Sequence, residues 1–181
     1  MIIKNGLKLH FTIQRVNVNP VLKLVNHSII MTHLTEGVKA PDFTGLNESG
    51  ESVSLSDFKG QKLVLFFYPK DNTPTCTEEA CNLRDNYGLL KKNGYAILGV
   101  SADSQRKHQN FIKKFDLPFP LLADVDQTIL NAYGVWGEKQ MFGKKYMGIF
   151  RTTFVIDAAG NIEKIIRKVK AKDHTSQIME A

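Results

Sequence analysis

Apolar residues fall in short blocks separated by turn-formers, and the period of the blocks changes along the chain. Positions 62–68 read Lys-Leu-Val-Leu-Phe-Phe-Tyr, apolar at consecutive places, which predicts a central strand buried on both faces. Positions 95–102 predict a second apolar strand, and positions 119–123 a shorter one. Between them the period lengthens. Positions 74–92 predict a helix ended by Asn93-Gly94, and Ser104 opens another to position 115, with Phe111, Ile112 and Phe115 on one stripe. A short helix follows over 126–133. Upstream, positions 42–46 and 52–55 read as the strands of a hairpin turning over 47–50, and 56–60 as a helical turn closed by glycine. Downstream, 151–157 and 161–169 predict strands joined by Ala158-Ala159-Gly160, and a last helix begins at Asp173. This order predicts an α/β fold: a mixed central sheet with helices on both faces and an N-terminal hairpin. Residues 134–150 hold four glycines and four aromatics without a clear period, and read as a long connection bordering a functional site.

Residues 1–35 form a separate zone with no acid, the first being Glu36. They contain Lys4, Lys8, Arg15 and Lys23, so most of the net charge of +6 resides there and the rest of the chain is nearly balanced. No Lys/Arg block with interleaved aromatics marks a nucleic-acid face. The zone lacks the apolar core of a secretory signal and is poor in the Ser and Arg of a transit peptide. It reads as an N-terminal extension, disordered or an upstream start, with Met31 as the functional start and 36–181 as one domain. A cytoplasmic location follows, or an organelle if residues 1–30 are a cleaved transit segment. The longest apolar run is about six residues, far short of the ~20 that span a bilayer, so no membrane partner is expected.

The chain has two cysteines, Cys76 and Cys81, too few for a disulfide scaffold or a four-cysteine zinc site. His10, His27, His33, His108 and His174 are scattered without ligand spacing and read as surface or capping residues. Thr73-Pro74 puts a hydroxyl at a helix N-cap and proline at N1, so Cys76 falls in the first turn. Unpaired N–H groups and the positive end of the helix dipole favour thiolate over thiol there. Glu78 and Glu79 oppose that charge, so a cation must come from elsewhere; Arg151, a charge opening an apolar strand, is the candidate. On a straight helix, residues five apart are turned by about 140° and raised ~7.5 Å, so their Cα atoms lie roughly 8–9 Å apart. A disulfide reaches ~7 Å, so Cys76 and Cys81 can bond only if the first turns unwind. Two thiols in this setting suit redox chemistry, although Cys81, beside Ala80 and Leu83, could equally face the core.

These residues resemble a known family. Pro69-x-x-x-Thr73-x-x-Cys76 is similar to the peroxiredoxin active-site motif, and the run from Phe67 to Asp85 resembles the Q-type, or bacterioferritin-comigratory, subfamily. Gly99-Val100-Ser101-x-Asp103, Leu117-Pro118-Phe119-Pro120, the block from Tyr133 to Lys139, and Arg151-x-Thr153-Phe154-Val155-Ile156-Asp157 resemble later blocks in order and spacing. The likeness runs from about Val38 to the C-terminus. Thr75 stands where the subfamily carries glycine, in a helical position that does not demand it.

The resemblance implies a thioredoxin-like fold and a thiol-dependent peroxidase, an antioxidant enzyme reducing hydrogen peroxide and organic hydroperoxides. Cys76 would become a sulfenic acid, Thr73 and Arg151 would hold the peroxide, Pro69 would shape the pocket, and Glu79 would orient the arginine. Cys81 would resolve the sulfenic acid as an intramolecular disulfide, and thioredoxin or a similar dithiol would recycle it. No metal, haem or flavin cofactor is implied, and the subfamily suggests a monomer or weak dimer. Trp136, Phe142, Tyr146 and Phe150 are expected at the pocket rim. A thiol–disulfide carrier would show Cys-x-x-Cys, which is absent; a redox-sensing holdase is the other reading.

Overall fold

The computed structural model describes residues 33–180. The chain opens with a hairpin of β1 (Thr44–Leu46) and β2 (Ser52–Ser54), and a 3-10 turn over Leu55–Phe58 leads into β3 (Lys62–Phe67). Then come α1 (Pro74–Asp85), α2 (Tyr87–Lys92), β4 (Tyr95–Ser101), α3 (Gln105–Phe115), β5 (Leu121–Ala123) and α4 (Thr128–Ala132). A second hairpin, β6 (Trp136–Met141) and β7 (Lys144–Ile149), precedes β8 (Thr152–Ile156) and β9 (Ile162–Ile166). A 3-10 turn over Ala171–Asp173 and α5 (His174–Met179) follow.

The central sheet has the order β5-β4-β3-β8-β9. β3, β4 and β5 run parallel, while β8 and β9 are antiparallel, so the sheet is mixed and the arrangement thioredoxin-like, as expected. Side chains alternate along β3 and feed two cores. Leu63, Leu65 and Phe67 join Leu98, Val100 and Phe154 on the face covered by α4 and the residues around the first hairpin. Val64 and Phe66, with the following Tyr68, join Leu83, Leu90, Phe111 and Ile178 on the face covered by α1, α2, α3 and α5. Both faces of β3 are thus dry, which is why its sequence is apolar throughout.

Three local expectations change. Residues 134–150 are not an irregular connection but mostly the β6–β7 hairpin, closed by Phe142-Gly143 with both φ values positive (50° and 76°). That is the backbone of a type I′ turn, which Asn-Gly would have signalled and Phe-Gly does not. The helix over 74–92 is broken at Asn86 (φ −106°, ψ 12°), whose side chain donates to the Asn82 carbonyl and competes with the helical ladder. β9 stops at Ile166, three residues short of the strand expected over 161–169. Residues 1–32 of the expected extension lie outside the described residues. Leu34 rests against the core of the first face, and its carbonyl accepts from Arg167 Nη2 at 3.0 Å.

Gly99, in the middle of β4, is where the second core is tightest. A Cβ there would meet Leu121 Cδ2 at 2.6 Å and Phe66 Cζ at 2.7 Å. Gly99→Ala is expected to destabilise the protein by about 1–3 kcal/mol through overpacking. Urea unfolding measures this, and an unchanged midpoint would contradict the packing described.

Candidate active site

β3 delivers the chain at its C-terminal end into a loop over residues 69–73, and α1 starts at Pro74. Cys76, the third residue of α1, is only 2% exposed and belongs to the second core. Thr73 is the N-cap in extended conformation (φ −88°, ψ 150°), but its hydroxyl does not cap the helix. It donates instead to the Lys70 carbonyl at 3.0 Å, within reach because Asn72 is left-handed (φ 57°) and folds the loop back. Pro69 is half-buried at the start of the loop.

The loop is held from behind by buried polar groups. The Asp71 N–H donates to Asp103 Oδ2 at 2.8 Å, and the Tyr68 hydroxyl donates to Asp71 Oδ1 at 2.7 Å. His108 Nδ1 lies 2.8 Å from Asp71 Oδ2 and its Nε2 3.3 Å from the Leu122 carbonyl. Burial works against the charge of Asp103, yet the Asp71 N–H and the Lys107 ammonium hold its carboxyl below the ordinary range. Burial, reinforced by Asp71, pushes the Tyr68 phenol well above its ordinary value.

Arg151 immediately precedes β8, and its guanidinium reaches across to α1. Nη2 lies 3.1 Å from Cys76 Sγ, and Nη1 is ion-paired with Glu79 Oε2. Cys76 and Glu79 are three residues apart, hence on one face of α1, and the guanidinium binds both. The Glu79 side chain is 0% exposed and that of Arg151 17%, so each charge needs the other in this dry setting.

Behind Glu79 lies a residue that the sequence reading placed at the surface or in a cap. His174, at the start of α5, is fully buried. Its Nδ1 is 3.3 Å from Glu79 Oε1, and its Nε2 is 2.9 Å from the Thr153 hydroxyl on β8. Burial, with the nearby Arg151 charge, pushes His174 down to about 3. α5 is anchored to α1 at Asn82, which donates to the Lys172 carbonyl at 2.6 Å and accepts from the Thr175 N–H at 2.8 Å. Nothing local in sequence marks His174; the one usable signal is that a carboxylate on the buried face of a helix requires more than one donor.

The structure therefore brings Cys76, Glu79 and Arg151 together and adds His174. Thr73 and Pro69 sit on the adjoining loop, and the hydrogen bond of the Thr73 hydroxyl runs to Lys70 rather than to Cys76 or Arg151. Cys81 is half-buried two turns into α1's span, and both cysteines are free thiols on an intact helix. Phe142 is 97% exposed at a hairpin tip, against expectation; Trp136 packs on the first core. Two surface clefts, of about 460 and 240 Å³, lie elsewhere, the first beside Thr44, Leu122 and Asp124, the second beside Lys39, Phe58 and Asp157. Neither includes Cys76 or Arg151. Among the described residues, no group of three His, Cys, Asp or Glu side chains is placed to hold a metal ion. Among the same residues, no helix is long and apolar enough to cross a membrane.

Residues 37–165 match the AhpC/TSA family. The putative peroxiredoxin bcp of Coxiella burnetii is 50% identical over 143 residues, spanning 79% of this chain and 95% of that protein. The peroxiredoxin Bcp of Bacillus subtilis is 49% identical over 144 residues, spanning 80% and 92%. A solved structure of the Xanthomonas campestris bacterioferritin comigratory protein, described for its alkyl peroxide reduction activity, aligns with a TM-score of 0.74 at 35% identity. That alignment covers 80% of this chain and 95% of that one.

Burial of His174 predicts a pH effect on stability. Unfolded, the imidazole takes a proton below its ordinary 6.5; folded, it stays neutral down to about 3. Unfolding then gains a proton between those values, so stability is complete above pH 6.5 and declines as pH falls. Chemical denaturation is expected to show a loss of roughly 1 kcal/mol per pH unit just below the upper limit, before ordinary carboxylates titrate. His174→Asn flattens that slope; an equal slope in both proteins would contradict the assignment.

Proposed function

This chain belongs to the AhpC/TSA family as a peroxiredoxin of the Bcp, or Q, type, and on that premise we propose how its residues divide the work. It is a thiol peroxidase, reducing peroxides with electrons from a thiol reductant. Cys76 is the nucleophile. Its thiolate attacks one peroxide oxygen, the O–O bond breaks, and the other oxygen leaves as hydroxide or alkoxide, which takes a proton to become water or an alcohol. The sulfur is left as sulfenic acid. The observation that carries this reading is the Arg151 guanidinium 3.1 Å from Cys76 Sγ, fixed at its other nitrogen by Glu79. A donor held there stabilises the thiolate before attack and the charge on the departing oxygen during it. Thr73 exchanges its bond to the Lys70 carbonyl for one to the peroxide, and Pro69 shields the sulfur from bulk water. Glu79 acts through Arg151. Alkyl hydroperoxides join hydrogen peroxide in the substrate range, in keeping with the alkyl peroxide reduction activity named for the Xanthomonas relative.

Cys81 resolves the intermediate. Its thiol attacks the sulfenic sulfur, the disulfide forms, and water leaves. The intact α1 separates the two thiols, so this step requires its first turns to unwind. A thioredoxin-like dithiol then restores both thiols by exchange. Residues 36–181 are the catalytic unit and residues 1–35 an addition to it, working in the cytoplasm as a monomer or weak dimer.

Cys76→Ser is expected to abolish peroxide consumption; turnover at the parental rate refutes the nucleophile assignment. Cys81→Ser is expected to consume one equivalent of hydrogen peroxide per chain and then stall with thioredoxin as reductant. Sustained cycling of that variant on thioredoxin would remove Cys81 from the resolving step.

A further inference from the structure

We propose that His174 is a positioning residue of the peroxidase site: Thr153 fixes it as the Nδ1–H tautomer, and it donates to Glu79 so that Glu79 can aim Arg151 at Cys76. The inference rests on the assignment of Cys76 and Arg151 above and extends it by one residue, from the far end of the chain.

The argument is an accounting of buried donors and acceptors. Glu79 has two oxygens and is 0% exposed. Oε2 is taken by Arg151, and Oε1 faces only His174 Nδ1, at 3.3 Å. Both Oε1 and Nδ1 are buried without a hydrogen-bond partner among the described residues, and the 3.3 Å approach between them is not aligned as a hydrogen bond. Leaving both unpaired would be unfavourable in a region without water. The opposite ring nitrogen, Nε2, sits 2.9 Å from the Thr153 hydroxyl, which has no other bond among the described residues and is free to donate. A hydroxyl can donate or accept, whereas an ionised carboxylate only accepts. One proton arrangement sets a donor against an acceptor at each contact: Thr153 donates to Nε2 at 2.9 Å, and Nδ1–H turns toward Glu79 Oε1, where a small rotation of either side chain aligns the bond. The reverse tautomer would turn a ring lone pair toward a carboxylate. A doubly protonated ring would add a second buried cation near Arg151 and would take away the acceptor that Thr153 needs.

The surroundings support a neutral ring. The charged groups facing it are Glu79 from α1 and Arg151 from the segment before β8. β8 offers the uncharged Thr153, and β3 offers the edge of Phe66, whose ring centroid is 6.3 Å away. At the rim of the same junction Lys172 lies 3.6 Å from Glu78, in an exposed pair. The contacts form one line, Thr153 to His174 to Glu79 to Arg151 to Cys76, from the sheet to the sulfur. Such an orienting partner behind a charged group fixes its geometry without touching substrate.

Long-range proton–nitrogen NMR correlation on the reduced wild-type protein reads the tautomer directly and needs no activity. The Nδ1–H pattern, without titration from about pH 5.5 to 8, is expected; the Nε2–H pattern, or titration near the ordinary 6.5, overturns the proposal. Variants supply the functional readout. His174→Leu is expected to move the thiolate absorbance curve of Cys76 up by about one pH unit, and so to slow peroxide attack about tenfold at pH values well below both midpoints. His174→Asn places an amide N–H where Nδ1–H was and is expected to stay within about threefold of the parent. Equal losses in Leu and Asn, or no shift in either, would show a packing residue only. Should His174→Leu fail to fold, the tautomer measurement and the Asn variant decide. Failure of this proposal leaves Cys76→Ser inactive, whereas failure of the nucleophile assignment leaves it active, so the two are separable.

Discussion

A guanidinium held between a sulfur and a carboxylate is the contact on which the site depends. Arg151 can be drawn into a largely dry place because Cys76 and Glu79 face it from successive turns of one helix. The sheet makes this contact geometrically available. β8 runs antiparallel to β3, with Thr152 paired to Phe67, so β8 begins where β3 ends. The same β3 end feeds the loop that starts α1. The arginine and the helix N-terminus are thus neighbours through strand pairing, although 75 residues separate Arg151 from Cys76 in the chain. Arg151's position is a consequence of topology before it is one of chemistry.

The same helix has to serve two incompatible geometries. Intact, it presents Cys76 at its positive end and Glu79 to the arginine, and it keeps Cys81 out of bonding range. In the proposed cycle it must open before the disulfide can form, and Glu79 lies between the two cysteines, on the part that opens. On that proposal, forming the disulfide dismantles the contact between Arg151, Glu79 and Cys76. Asn82, one residue past Cys81, is tied to Lys172 and Thr175, an anchor for the C-terminal part of α1 that does not involve Arg151. In that cycle peroxide attack and disulfide formation are alternatives, and the folded arrangement returns with the reduced thiols.

Much of this was readable from residues alone, where one physical cause dominates locally. The consecutive apolar positions of β3 and β4 mark strands buried on both faces, and the stripe of Phe111, Ile112 and Phe115 marks α3. Arg151 was findable because a charge opening an apolar strand requires partners, and Cys76 because Thr73-Pro74 opens a helix before it. The misses have equally local causes. Phe142 occupies a left-handed position that its side chain does not advertise, and the exposed strands on either side of it carry no buried face to impose alternation. Asn86 interrupts a helix whose polar pattern continues across the break. The Thr73 hydroxyl takes a carbonyl in its own loop in preference to the helix end. His174 is set by tertiary contacts with α1 and β8, which no spacing within its own segment encodes.

The claim that Arg151 stabilises the Cys76 thiolate is tested most directly by the thiolate ultraviolet absorbance of the reduced protein against pH, in the parent and in Arg151→Gln, with Cys81→Ser in both to isolate one sulfur. The account predicts that the variant's curve lies about one pH unit or more above the parent's. Two superimposable curves would contradict it.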